Sequence, residues 1–327
     1  MQLIDSHNRI IDYVRLAVTD RCNLRCTYCM PAHGIDFVQR KELLSYEEML
    51  RLLKILKTLG VNKLRITGGE PLVRKDLIPF LQEVTNQKII DGYHLTTNAT
   101  LTLPRVQDLI NCGLKTINIS LDSLDREQYK TIARRDDLQN VLDSIYAFYE
   151  QKIPIKINMV VMKGVNEKNI ITLAELAKNN FIDVRFLEEM PFNGLGEIKS
   201  EYYSHQEIEG FLTSHFGPLE LQKVEKSSTS KVFLAAGFKG KLGVIPSFSR
   251  TFCGTCNRLR ITPTGVLKTC LYGKGELNLK TLLTNGSSDA EITTGIIDAV
   301  ARKPKNGFEA EAQRNFLFNE SMASIGG

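Results

Sequence analysis

Seven cysteines in a chain of 327 residues fall into two triplets and a singleton. Cys22, Cys26 and Cys29 are separated by three and then two residues, with Asn23, Arg25 and Tyr28 interleaved; Cys253, Cys256 and Cys270 are separated by two and then thirteen. Zinc takes four tetrahedral ligands. Neither triplet has an obvious local fourth, although His33 lies close to the first, and a zinc ribbon competes for the second because CxxC pairs commonly bind zinc. Thiolates also hold iron–sulfur clusters, four in a full set, so three leave one iron open to a further donor. Between Cys256 and Cys270, Arg258 and Arg260 alternate along a short strand and share one face. Two guanidiniums so placed repel unless an anion lies between them, and their forks match phosphate oxygens, so a polyphosphate is the expected guest. The remaining Cys112, at the end of a helical stretch, reads as core or surface.

The first triplet, with an aromatic residue before its third cysteine, and the segment Gly68-Gly69-Glu70-Pro71 together resemble the radical S-adenosylmethionine superfamily. There the open iron chelates S-adenosylmethionine, and the GGEP segment receives its methionine amino group. With the second triplet and Arg258 and Arg260, the resemblance narrows to the GTP 3′,8-cyclases of molybdenum cofactor biosynthesis. It runs from Arg15, Val18, Thr19 and Asp20 to the terminal Gly326-Gly327. It implies a lyase with two [4Fe–4S] clusters that converts GTP to (8S)-3′,8-cyclo-7,8-dihydroguanosine 5′-triphosphate. It further implies that Arg15, Arg65, Thr96, Lys156, Arg258, Leu259 and Arg260 contact GTP, and that Tyr28, Gly69, Ser120 and Met190 line the S-adenosylmethionine site. Arg258, Arg260, Gly326 and Gly327 would be catalytic, the tail inserting toward the site and guanine meeting the open iron of the second cluster. Implied partners are a flavodoxin- or ferredoxin-type reductant, a downstream pterin-precursor synthase and a second copy of the chain. One departure is that Asn306-Gly307-Phe308 stands where many relatives carry a histidine soon after Lys303-Pro304.

These residues have to be positioned by regular elements. Apolar, β-branched runs of strand length at residues 13–19, 63–67, 93–97, 116–121, 155–161 and 183–187 alternate with helical patterns such as 45–59, 138–151 and 168–179. Six βα units predict an α/β fold with a parallel sheet, either doubly wound or an incomplete (βα)6 TIM-like barrel. Sites in such folds gather at the C-terminal ends of strands. Here the cysteine loop, Gly68 to Glu70, Thr96 to Asn98, Ser120 and Asp122, Lys156 and Asn158, and Glu188 to Pro191 put every unit on one rim, which favours the barrel. Arg15, Arg65 and Lys156 on its strands would need compensation, from a triphosphate or from carboxylates such as Glu70 or Asp122. The rhythm breaks after Asn193. Residues 1–193 are expected to form the barrel and 194–327 an irregular extension carrying the second cluster, with a polar hairpin tip at 225–231, a helix at 289–302 ended by Pro304, and a flexible tail at 324–327.

Bulk composition is that of an ordinary globular protein: 43% hydrophobic, 24% charged, net charge +5. The first twenty residues lack an apolar run followed by a cleavage site, and nowhere do 18 apolar residues run together. A cytoplasmic protein that binds neither membrane nor nucleic acid is expected, its cysteines metal ligands rather than disulfides. Two alternatives stand beside the cyclase. A radical enzyme acting on a peptide would also carry an auxiliary cluster but would not need the paired arginines. A zinc-dependent RNA-binding module would want basic residues interleaved with aromatics, yet residues 258–272 hold one aromatic and the chain no Trp.

Overall fold

In the computed structural model, which describes residues 1–195, 201–314 and 320–327, the six apolar runs are strands: β1 (Tyr13–Ala17), β2 (Lys63–Thr67), β3 (Tyr93–Thr97), β4 (Leu114–Ser120), β5 (Ile155–Val161) and β6 (Asp183–Glu188). Between them lie α1 (Tyr46–Thr58), α2 (Leu77–Asn86), α3 (Val106–Asn111), α4 (Arg126–Ala133), α5 (Leu138–Glu150) and α6 (Asn169–Asn179). The start of α1 is set by a capping box in which Ser45 accepts from the Glu48 amide and Glu48 accepts from the Ser45 amide. Strand β4 begins two residues before the expected position because Leu114 pairs with Tyr93 across a local irregularity in the ladder.

The strands β1 to β6 are parallel neighbours in chain order. A doubly wound sheet reverses its order at a switch point; this one does not. After α7 (His205–Phe216) come β7 (Leu219–Leu221), β8 (Lys231–Ala235), β9 (Leu242–Ile245), β10 (Arg258–Ile261), β11 (Val266–Lys268) and β12 (Leu277–Asn278), then α8 (Leu279–Thr284), α9 (Asp289–Ala301), α10 (Gly307–Ala312) and α11 (Met322–Ile325). The part after Asn193 is therefore not irregular, as its broken rhythm suggested. Its short strands extend the same sheet at both ends, β9 running parallel to β6 and β10 parallel to β1. The strand carrying Arg258 and Arg260 is the expected one, whereas β9, β11 and β12 are too short for a clear period 2. The polar stretch at 225–231 does join two antiparallel strands, β7 and β8.

Alternation divides each central strand. Val14, Leu16, Leu64, Ile66, Ile117, Ile119, Ile157, Met159, Val184, Phe186, Leu259 and Ile261 are fully buried in the main apolar core. The opposite face carries Arg15, Arg65, Asn118, Lys156, Asn158, Arg185, Arg258 and Arg260. The expected flexible tail is instead docked. Ser321 caps α11, and Ile325 packs with Phe192, Tyr272 and Ala310 in a second, small apolar cluster. Among the described residues no helix is long and apolar enough to cross a membrane.

Candidate functional site

The polar face of the sheet places like charges opposite one another. Arg260, Arg15 and Arg65 are register partners across β10, β1 and β2, with the His94 imidazole next in the row on β3, and Tyr13 stands between Arg258 and Lys63 in the next row. Like charges directly opposite destabilise a sheet. Burial, then Arg260, pushes the Arg15 guanidinium well below its ordinary value. Burial, then Arg258, brings Arg260 down to about 10, and burial, then Arg65, brings Arg185 to about 10. Burial also lowers the His94 imidazole, with the help of Arg65, to about 3. Tyr13 moves the other way from what its burial alone would do, down to about 7, because Arg65, Arg15 and Arg258 surround its phenol.

Few carboxylates answer this charge. Lys156 lies 3.6 Å from Asp183, whereas Arg65 is held by the Tyr13 hydroxyl at 2.6 Å and the Leu95 carbonyl at 2.9 Å. Glu70 and Asp122, the expected partners, are turned elsewhere. Glu70 accepts from Thr97, Asn98 and Leu72, and Asp122 from Tyr28 and Val160; burial pushes both carboxyls up to about 7. The Arg15 Nε, Arg185 Nε and Nη2, and the side-chain oxygens of Asn118 and Asn158 are buried with no hydrogen-bond partner among the described residues. They face two adjoining cavities of about 340 and 270 Å³ that share Arg15, Asn118, Arg185, Thr229 and Arg258 as walls.

The first cysteine loop leaves the C-terminal end of β1. Its turn is closed by the Cys29 amide donating to the Cys26 carbonyl at 2.9 Å, and Arg25 donates to the Cys22 and Leu24 carbonyls. Gly69 lies against this loop so closely that a Cβ would stand 2.4 Å from the Arg21 carbonyl oxygen. Burial pushes the Cys22 thiol up to about 12 and raises Cys26 and Cys29 as well. The second loop carries Cys253 and Cys256 on a tight turn between β9 and β10. Here Cys256 differs from its neighbours: burial alone would raise it, but Lys303 and then Arg258 bring it down to about 7. All six are free thiols, and within each triplet they lie in mutual electrostatic reach. No three His, Cys, Asp or Glu side chains among the described residues converge tightly enough for a single ion. Three free thiols in mutual electrostatic reach are the donor type a cluster takes, each thiolate binding a different iron.

The larger cavity is lined by Arg65 and Lys156, and the other by Tyr28, Thr96, Ser120, Met190, Arg260 and the second triplet. The tail reaches the same wall: Arg260 donates to the Gly326 carbonyl at 2.6 Å and Arg15 to the Gly327 carbonyl. Gly69 touches neither cavity directly but backs the first loop. Leu259, between Arg258 and Arg260 in sequence, has its side chain buried in the main core on the opposite face of β10 and lines neither cavity. Arg185 and Tyr13 were missed; a charged residue between Val184 and Phe186 in β6 was the available signal for the former.

Residues 16–177 match the Radical SAM superfamily, and residues 182–309 match Molybdenum Cofactor Synthesis C. A GTP 3′,8-cyclase of Syntrophomonas wolfei is 41% identical over 99% of this chain and 100% of its own length, and one of Desulforamulus reducens is 39% identical at the same coverages. The Homo sapiens protein called molybdenum cofactor biosynthesis protein 1 is 38% identical over 93% of this chain, which spans 48% of it. Among solved structures, Streptococcus suis SuiB superposes with a TM-score of 0.63 at 16% identity, covering 94% of this chain and 70% of SuiB. That likeness concerns the fold.

Proposed function

The chain belongs to the GTP 3′,8-cyclase family of radical S-adenosylmethionine enzymes, and from that membership we propose how its cavities carry out the reaction. The enzyme joins C3′ of the ribose to C8 of the guanine in GTP, as part of molybdenum cofactor biosynthesis, with two [4Fe–4S] clusters and S-adenosylmethionine as cofactors. The free thiol triplets fit the two clusters. Cys22, Cys26 and Cys29 would hold the first, and Cys253, Cys256 and Cys270 the second. Bound S-adenosylmethionine supplies a radical that takes hydrogen from C3′.

What the chain itself contributes is placement. The row of like-charged register partners facing the cavity carries this reading, because only an anion relieves it. Arg15, Arg65, Lys156, Arg258 and Arg260, joined by Arg185, hold the triphosphate. Thr96 lies on the upper wall beside the ribose, and guanine extends toward the second triplet. Tyr28, Gly69, Ser120 and Met190 form the S-adenosylmethionine side. Gly326 and Gly327 lie against Arg15 and Arg260 and exclude water from the reacting carbons. Fixing the nucleotide between the two triplets is where most of the rate advantage from orientation arises. A peptide substrate would leave the arginine row uncompensated.

The fold reading attached to this proposal is an incomplete (βα)6 barrel formed by β1 to β6 in residues 1–193, with 194–327 bringing the second cluster. A flavodoxin- or ferredoxin-type reductant, a downstream pterin-precursor synthase, a homodimer and a cytoplasmic location rest on family membership. Free thiols suit a reducing compartment. The deciding experiment measures iron, sulfide and GTP turnover after anaerobic purification, for the intact chain and for a Cys253/Cys256/Cys270 triple alanine variant. We expect about eight irons falling to about four, with turnover lost. Four irons in both, with zinc lost from the variant, would make the second triplet structural and end the proposal.

A further inference from the structure

Among the described residues two lysines are buried almost completely, and they are partnered differently. Lys268, 1% exposed, has the Glu320 carboxylate at 3.0 Å. Lys303, 2% exposed, is in no ion pair with a carboxylate among the described residues, and Glu276 is coupled to it only at longer range. Its ammonium donates to the Arg258 carbonyl at 3.1 Å and to the Thr269 carbonyl, and it lies 4.0 Å from the Cys256 sulfur. Those two carbonyls belong to residues two after Cys256 and immediately before Cys270. The ammonium is therefore fixed against two of the three thiols of the second triplet.

Its placement is built rather than incidental. Lys303 follows α9, and the next two carbonyls, of Pro304 and Lys305, accept from Arg9 at 2.7 and 2.8 Å. The same guanidinium donates to the Cys253 carbonyl at 3.0 Å and is itself held by Asp5 at 2.6 Å. One N-terminal arginine thus ties the Lys303 segment to the cysteine loop. A buried cation without a counter-charge costs several kcal/mol; Glu276 acts on it only from beyond ion-pair distance, whereas the thiol of Cys256, at 4.0 Å, and its cluster stand directly against it.

We propose that Lys303 is a positioning residue of the second cluster whose fixed positive charge stabilises the reduced cluster over the oxidised one. On reduction the cluster gains one electron and no proton, so its negative charge rises by one, and a fixed cation nearby favours that state. Net charge and hydrogen bonding around the sulfurs set the potential of such clusters. This inference rests on the reading that the second triplet holds a cluster.

The test uses a full-length chain whose Cys22, Cys26 and Cys29 are alanine, leaving the second cluster alone in the spectrum. Its iron is counted, and its reduction is followed by electron paramagnetic resonance against dithionite-poised mediators. Lys303→Gln keeps donors toward the carbonyls and removes the charge; Lys303→Arg keeps the charge. The Gln variant should hold its iron and show a reduced-to-oxidised ratio at fixed potential lower by about tenfold or more, ~59 mV per tenfold for one electron, with Arg restoring it. An intact cluster with an unshifted midpoint in Lys303→Gln overturns the proposal. If the Gln variant loses iron while the Arg variant keeps it, charge compensation is supported; loss from both overturns it. Absence of iron from the parent with Lys303 intact would instead sink the cluster assignment, and this proposal with it.

Discussion

Replacing Arg185 by Met removes a charge and keeps much of the side-chain volume, and the structure predicts effects of opposite sign in the free and the bound protein. In the free protein the Arg185 Nε and Nη2 are buried without hydrogen-bond partners among the described residues, and burial with Arg65 nearby already lowers its pKa to about 10. Relief of that burden is worth roughly 1–3 kcal/mol, reduced by the lost attraction to Asp183, for a net gain of about 1 kcal/mol. In the bound protein the same guanidinium would donate to phosphate. Charge-assisted hydrogen bonds contribute about 1.5–3 kcal/mol, so GTP should bind about 10- to 150-fold more weakly, at 1.4 kcal/mol per tenfold. Urea unfolding of the GTP-free protein and anaerobic titration calorimetry with GTP read the two effects separately. A variant that is less stable when free and binds GTP as well as the parent would refute the reasoning. It would make Arg185 a structural partner of Asp183 rather than a group waiting for an anion.

Gly326 has φ +83°, and a Cβ there would stand 2.7 Å from that of Ala17 and 2.9 Å from the Thr67 hydroxyl. Gly326→Ala should therefore undock the tail at a cost of about 1–3 kcal/mol, raising amide exchange at 322–327 and lowering cyclisation while the iron content stays unchanged; full activity with a docked tail would contradict the tail's role. Glu320→Gln leaves the buried Lys268 without its carboxylate and weakens the partner of Arg314, so a loss of about 3 kcal/mol in urea is expected. His94 titrates near 3 in the folded chain against 6.5 ordinarily. Between those values the unfolded chain takes up a proton that the folded one refuses, so stability falls as pH drops through that window, and His94→Gln should flatten this part of the profile. NMR titration should also find the imidazole pKa raised when GTP is bound, and an unmoved value would argue against a triphosphate beside β3.

Much of the central sheet was legible because its signals are local. β2, β3 and β5 begin and end where their apolar runs do, and Ser45 and Glu48 announce α1. The site was legible where chemistry is tied to spacing, as in the two cysteine triplets and in Arg258 and Arg260 on alternate positions. What escaped depends on partners distant in sequence. Strands β9, β11 and β12 are two to four residues long and are strands because β6, β10 and β11 offer them edges. Leu259 sits between two cavity-facing arginines, and alternation along β10 turns its side chain into the core. Lys303 and Arg185 gain their meaning from burial, which residue type alone does not disclose. The tail's terminal glycines suggest looseness, yet the Ala17 and Thr67 wall accepts them because they lack side chains.

The pairing of β1 with β10 bears on how the chain is made. Asn257, beside β10, hydrogen-bonds Asp12, beside β1, across 245 positions of sequence. Non-local pairings of this kind slow folding, because the loop they close must be ordered before any contact rewards it. On the ribosome, β1 to β6 can assemble as they emerge, but the outer edge of β1 stays unpaired until more than three-quarters of the chain has been synthesised. An open edge is a template for the wrong partner. The parent strand of the first cysteine loop is thus the last of the six to acquire both neighbours, and its loop waits beside a half-built wall. Pulse-labelled nascent chains halted before residue 258 should show free exchange at the β1 amides that face β10, such as that of Tyr13, while those bonded to β2 are protected, and they should engage chaperones more than chains in which β10 has emerged.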